Sequence, residues 1–343
     1  MKPYLAGGLL AAMGLGCGGA PEVKGPAPLR PSSLHLRPLT DLAPAAGLVW
    51  LVDARPREVA SHSELLPSIE ELATPARMRG FTERHGGLDP LAVEELVVAG
   101  YHEATLWMAL TPLDPSRVER AFAGRAVHLD GRAVDWGAGQ PLDTILRTWG
   151  TVETDREQLA IFGHEAVGVE TGRFATLRVA ELFSESRLRK ASPALRASPL
   201  REASALLPDA PLRAFAPGPF SGHMALGLGG LLGGATSASG SARFVESDET
   251  DGGRQSISVA LTFVLTGAWG ADADAARERL LAAFGVLADS GIGRLLGLSR
   301  PVAPVSAVAT ADALTLDVTL DAGTLARGLR DATSAAVEDI LRR

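Results

Sequence analysis

Short apolar runs joined by tight turns recur along residues 47–343. Glu95 to Tyr101 and Ala104 to Leu110 are two such runs, separated only by His102-Glu103. Arg125 to Gly137 (RAVHLDGRAVDWG) alternates about Asp130-Gly131, a two-residue hairpin signal. A second hairpin is predicted at 158–170 (QLAIFGHEAVGVE), and Gly47 to Asp53 (GLVWLVD) reads as a strand. Hairpins imply antiparallel sheets, and helices packed on one face complete an α+β architecture.

The helices are marked by their ends. Thr74-Pro75 supplies an N-cap and a first-turn proline, and Gly86-Gly87 stops that helix. Asp114-Pro115 starts another (DPSRVERAF), which Gly124 is expected to end, and 173–190 reads as a third. The second half repeats the grammar. Leu212 to Ala216 is a strand, Gly222 to Thr236 a glycine-rich helix, and Ala242 to Ser247 and Ser256 to Gly267 are strands about an acidic turn. Asp272 and Asp274 favour the positive end of a long helix. Val305 to Thr310 and Leu314 to Leu320 form a further hairpin, and Asp321 caps the last helix. ATLWMALTPLDPSRVERAFAG at 104–124 echoes LTFVLTGAWGADADAARERLLAAFG at 261–285, each a strand and then an acid-capped helix. The expected organisation is therefore two related α+β domains, 47–207 and 208–343, each an antiparallel sheet of hairpins with helices on one face.

What precedes residue 47 reads as an address. Lys2 is followed by an apolar stretch from Leu5 to Leu15. That is signal-peptide length, well short of the ~20 residues of a spanning helix. The stretch ends in Gly14-Leu15-Gly16-Cys17, and Cys17 is the only cysteine among 343 residues. This resembles the lipobox of bacterial lipoproteins, in which a small residue precedes the invariant cysteine; Gly14 stands where that motif usually has leucine. The resemblance implies a signal peptide over 1–16, cleavage before Cys17, and acylation of its thiol and new amine with chains such as palmitate. It places the protein in the bacterial cell envelope, anchored in the inner or the outer membrane. Secretory cleavage after Ala20 is the alternative, disfavoured by Pro21. Residues 17–46, punctuated by six prolines, read as the lipidated cysteine and a tether. The body also resembles bacterial envelope families of unassigned function with tandem α/β repeats, through the Leu207-Pro208-Asp209 entry to the strand at Leu212; this implies no activity.

Composition excludes several classes. A net charge of −7 argues against a nucleic-acid partner, and one cysteine excludes a disulfide scaffold or a multi-cysteine metal site. Catalytic patterns fail on inspection. His102-Glu103 and His164-Glu165 begin the zincin motif, but Leu106 and Gly168 stand where its second histidine belongs. Ser221 lacks the preceding glycine of a nucleophile elbow, and His85-Gly86-Gly87 reads as a helix C-cap rather than an oxyanion loop. The acidic turn at 248–252 lacks the alternating ligands of a calcium loop. No cofactor, metal or catalytic residue is expected.

The remaining segment of interest is the uncharged stretch 214–242, whose middle reads MALGLGGLLGGA. Read as a helix, it would carry Met224, Leu228, Leu231 and Leu232 into an interdomain cleft or pack between two sheets. Three readings stand: a non-catalytic binding or structural lipoprotein, an extracytoplasmic carrier of an apolar ligand using that cleft, and a hydrolase with an unrecognised site. The partners would be the membrane, through the anchor, and an envelope protein, lipid or cell-wall component.

Overall fold

The computed structural model of the chain describes residues 34–63, 65–128, 132–135, 145–151, 156–172, 175–251 and 254–342. Cys17, the signal-peptide stretch, most of the tether and the Asp130-Gly131 turn lie outside these residues.

Strand β1 (Leu48–Ala54) is followed by α1 (Pro56–Ala60), α2 (Leu66–Leu72) and α3 (Pro75–Arg84). Each helix has proline in its first turn, where a missing N–H costs nothing. Strands β2 (Glu95–Tyr101) and β3 (Ala104–Leu110) form a hairpin. Helix α4 (Pro115–His128), β4 (Arg132–Asp135), β5 (Ile145–Thr151), β6 (Arg156–Phe162) and β7 (Ala166–Gly172) come next. Helices α5 (Thr176–Ser184) and α6 (Leu200–Leu206) complete the first stretch. The second comprises β8 (Leu212–Pro217), β9 (Ala235–Asp251), β10 (Arg254–Gly267), α7 (Ala273–Asp289), α8 (Gly291–Leu295), β11 (Ser306–Ala309), β12 (Ala313–Asp321) and α9 (Ala322–Arg342).

The fold is α+β, and its strands join one antiparallel sheet of 12, in the order β11-β12-β10-β9-β8-β1-β2-β3-β7-β6-β5-β4. Outward from the centre, β1-β2-β3-β7-β6 and β8-β9-β10-β12-β11 follow the same path. In each, three strands run in sequence, a helix intervenes, and the returning strands add beyond the third. The echo between 104–124 and 261–285 falls on β3 with α4 and on β10 with α7, which hold equivalent places on that path. Among the described strands, β4 and β5 alone lack a counterpart.

The two stretches do not form separate sheets, as the division at 207/208 would require. Strand β1 pairs with β8 from Leu51↔Phe215 to Ala54↔Leu212. One apolar cluster spans both, with Val52, Leu96 and Leu65 beside Leu212, Leu314 and Leu320. At the joint Asp53 faces Arg213, whose Nε donates to its carboxylate over 3.0 Å.

Helices cover both faces of the sheet, correcting the expectation of one. Strand β2 shows why. Leu96 and Val98 point into the cluster under α2, α7 and α9, while Val97 and Ala99 point into a second cluster containing Leu177 of α5 and Leu200 of α6. A strand that is apolar on both faces must be covered twice, because leaving either face in water would forfeit about 25 cal/mol for each Å² of apolar surface.

Three local expectations also change. Gly222 to Thr236 is not a helix but two 3-10 turns, Gly222–Leu226 and Leu231–Gly234, and β9 already starts at Ala235. Leu228, Gly229 and Gly230 have φ of 52°, 67° and 86°, a left-handed conformation that stops a right-handed helix. Helix α4 continues past Gly124 through His128, so Arg125 to His128 is not a hairpin arm, and β4 pairs with β5 instead. The stretch read as tether ends before residue 46. Leu36, Leu39, Leu42 and Ala43 are at most 4 % exposed and pack in the second cluster, around a 3-10 turn at Leu39–Leu42.

Candidate functional site

A space of ligand size lies between α3, α4 and one face of β3, β7 and β6. Its floor follows the two-residue alternation of the strands. Thr105, Trp107 and Ala109 of β3, Val167 and Val169 of β7, and Leu159 of β6 face it. The alternate residues Leu106, Met108, Leu110 and Phe162 are buried in the cluster on the opposite face. Phe81 of α3 and Val118 and Phe122 of α4 form the roof.

Local sequence sets that roof. Thr74 Oγ1 accepts from the Arg77 N–H at the start of α3, and Asp114 Oδ1 accepts from the Ser116 and Arg117 N–H groups at the start of α4. Gly86, with φ 71°, ends α3 against α4: a Cβ there would stand 2.5 Å from the Val118 Cα. The two helices thus meet backbone to backbone at one end and leave a cavity of about 430 Å³ beyond it. This lies within the range of small-molecule sites, roughly 300–1,000 Å³.

Besides Asp89, Thr105, Thr111 and Thr171, the polar side chains that line the cavity gather at Arg125. Arg125, whose side chain is 21 % exposed, lines it together with His85 and Glu157. Arg125 Nη1 donates to the Arg84 carbonyl over 3.1 Å and lies 3.4 Å from His85 Nδ1. Its Cζ sits 5.6 Å from the centre of the Phe122 ring. The Nη2 is 3.9 Å from Glu157 Oε2, beyond hydrogen-bond length. Burial, followed by the charges of Arg125 and Arg84, pushes the His85 pKa down to about 3. The ring is therefore neutral, and its Nδ1 accepts from Arg125. Burial also lowers the Arg125 pKa, opposed by Glu157, but a guanidinium keeps its charge.

Titratable groups on the opposite face serve the fold. Glu170 Oε2 accepts from the Leu177 N–H at the start of α5 over 2.7 Å, and burial raises its pKa. Glu95 accepts from the Leu39 N–H over 2.7 Å, and burial followed by the charge of Asp53 raises its pKa to about 7. Tyr101 donates to the Pro44 carbonyl.

The residues singled out in the sequence lie elsewhere. Leu231 is buried in the core; Leu228 and Leu232 pack partly against it; Met224 is 39 % exposed. They do not line a cleft between halves, because β8 and β9 continue the sheet there. Leu228 instead borders an open groove along α7, beside the exposed Val286 and Leu287. Where the two stretches do meet, between α2, α9 and β9–β10, the apolar void is about 70 Å³. His102-Glu103 forms the β2–β3 turn and His164-Glu165 the β6–β7 turn. Among the described residues no three His, Cys, Asp or Glu side chains gather as metal ligands, and no helix is long and apolar enough to cross a membrane. Comparison with family models, with curated proteins and with solved structures finds no match to this chain.

Sequence reasoning passed over the cavity. Its one legible signal was Arg125, which follows Val118 and Phe122 at spacings of seven and three and so falls on the apolar stripe of α4.

Proposed function

We propose that this chain is a membrane-anchored envelope lipoprotein whose folded body binds an apolar small molecule in the cavity between α3, α4 and the sheet. The observation that carries the binding reading is the cavity itself. Aromatic and aliphatic side chains line most of a 430 Å³ space, with a smaller number of polar groups among them. A space of that kind left without an occupant forgoes dispersion contacts that a packed core would make. The anchor reading rests on the residues around Cys17. Binding, rather than hydrolysis, accords with His85 held neutral as an acceptor for Arg125 and with carboxylates that cap helices and turns.

The test uses the full-length protein in its own membranes. An alkyl probe bearing a diazirine is photolysed and the adducts are mapped by mass spectrometry. Adducts are expected on peptides covering 105–111 and 115–125, and Ala109→Phe, which fills the floor, is expected to reduce them about tenfold with the fold retained. Adducts confined to the groove along α7, or unchanged in Ala109→Phe, would overturn the reading.

A further inference from the structure

The geometry points to a specific ligand class for this cavity: a long-chain amphiphile with a carboxylate head, held by Arg125. The inference rests on the binding reading above and adds the head group to it.

The guanidinium presents five N–H donors. Those on Nη1 are directed to the Arg84 carbonyl and His85 Nδ1, which fix the plane of the group. Its Nε and Nη2 make no hydrogen bond within the described structure; their nearest anionic neighbour is Glu157, 3.9 Å away. That edge is the one on which a carboxylate docks with two parallel bonds. The surroundings make the charge effective. Arg125 is mostly buried against Phe122, so water screens it little. His85 is a second positive charge only if protonated, and burial beside Arg125 and Arg84 keeps it neutral, so the donor edge belongs to Arg125 alone.

Glu157 tunes the site. It compensates Arg125 when the cavity holds no anion, yet at 3.9 Å it does not occupy the donor edge. A ligand carboxylate would share the guanidinium with Glu157 and feel its repulsion. A neutral head such as an alcohol would gain only an ordinary hydrogen bond, about half the strength of a charge-assisted one. Most of the remaining wall is apolar, which suits a hydrocarbon chain; the other charged residues lining it, Glu157 and Asp89, are acidic, so among the described residues Arg125 is the one cation it offers an anionic head.

The experiment compares two probes on full-length protein in phosphatidylcholine vesicles at pH 8: a diazirine-bearing long-chain fatty acid and the alcohol of the same chain. In the wild type the acid is expected to give about ten times more adduct than the alcohol on the peptides lining the cavity. Arg125→Gln is expected to bring the acid down to the level of the alcohol, a loss several-fold larger than any loss by the alcohol, and Glu157→Gln to raise labelling by the acid. Equal labelling by both probes in the wild type would overturn the head-group assignment and leave the binding reading standing. So would an Arg125→Gln variant that loses acid and alcohol in proportion, since Arg125 would then only support the wall. Absence of cavity adducts from either probe would overturn both.

Discussion

Replacing Glu95 by glutamine should make the protein more stable at pH 8 and leave it nearly unchanged at pH 4. Glu95 begins β2, and its Oε1 accepts the Leu39 N–H that fixes the turn at Leu39–Leu42. Burial and the charge of Asp53 raise its pKa from 4.5 to about 7, against the opposing hydrogen bonds from Leu39 and Thr40 and the charge of Arg37. Between those two values the folded state holds a proton that the unfolded chain has released. The stabilisation linked to that proton is complete below about pH 4.5 and is lost as pH rises towards 7. The full difference corresponds to about 3 kcal/mol. Partial contact with water reduces it to about 1–2 kcal/mol. Glutamine keeps an acceptor for Leu39 without the charge. Urea unfolding followed by tryptophan fluorescence at pH 4, 6 and 8 measures the difference between variant and wild type, from which other titrating groups such as His85 and Glu170 cancel. The difference should grow from near zero to about 1–2 kcal/mol in favour of Glu95→Gln. A difference independent of pH, or a variant less stable at pH 8, would refute the assignment of a buried charge at Glu95.

Gly328 lies inside α9, where helix propensity alone makes Gly→Ala stabilising by about 1 kcal/mol. A Cβ there would stand 2.1 Å from the Leu295 carbonyl oxygen of α8, so Gly328→Ala should instead destabilise by about 1–3 kcal/mol in the same urea assay. Cells fed a radiolabelled fatty acid should label the wild-type protein and not Cys17→Ala, and labelling that survives the substitution would remove the anchor.

Much of the fold is legible where one residue pattern dominates. The β2–β3 hairpin, the ends of α3 and the Asp321 cap of α9, whose carboxylate accepts the Thr324 N–H, all follow from spacing and capping within a few residues. The glycine-rich stretch at 222–236 misled because its six glycines permit a helix by sequence, yet Gly222, Gly229 and Gly230 take left-handed geometry in a fold that draws Leu231 into the core. Gly124 misled in the opposite direction: with open space around it, nothing requires the helix to stop. The cavity was harder still to foresee, since Trp107, Val169 and Phe122 are ordinary core residues in sequence, and only the angle at which α3 and α4 meet at Gly86 leaves space among them.

The sequence by itself determined the antiparallel α+β class, the order of most elements and the lipobox-like segment at Cys17, because turn chemistry, capping and side-chain periodicity act over a few neighbours. Tertiary structure decided that β1 and β8 would join two similar runs into one sheet, that helices would cover both its faces, and that Arg125 would stand in a mostly apolar cavity with its Nε and Nη2 making no hydrogen bond among the described residues. Those outcomes depend on contacts between residues as far apart as Asp53 and Arg213, or Arg125 and His85, whose meeting no local pattern encodes.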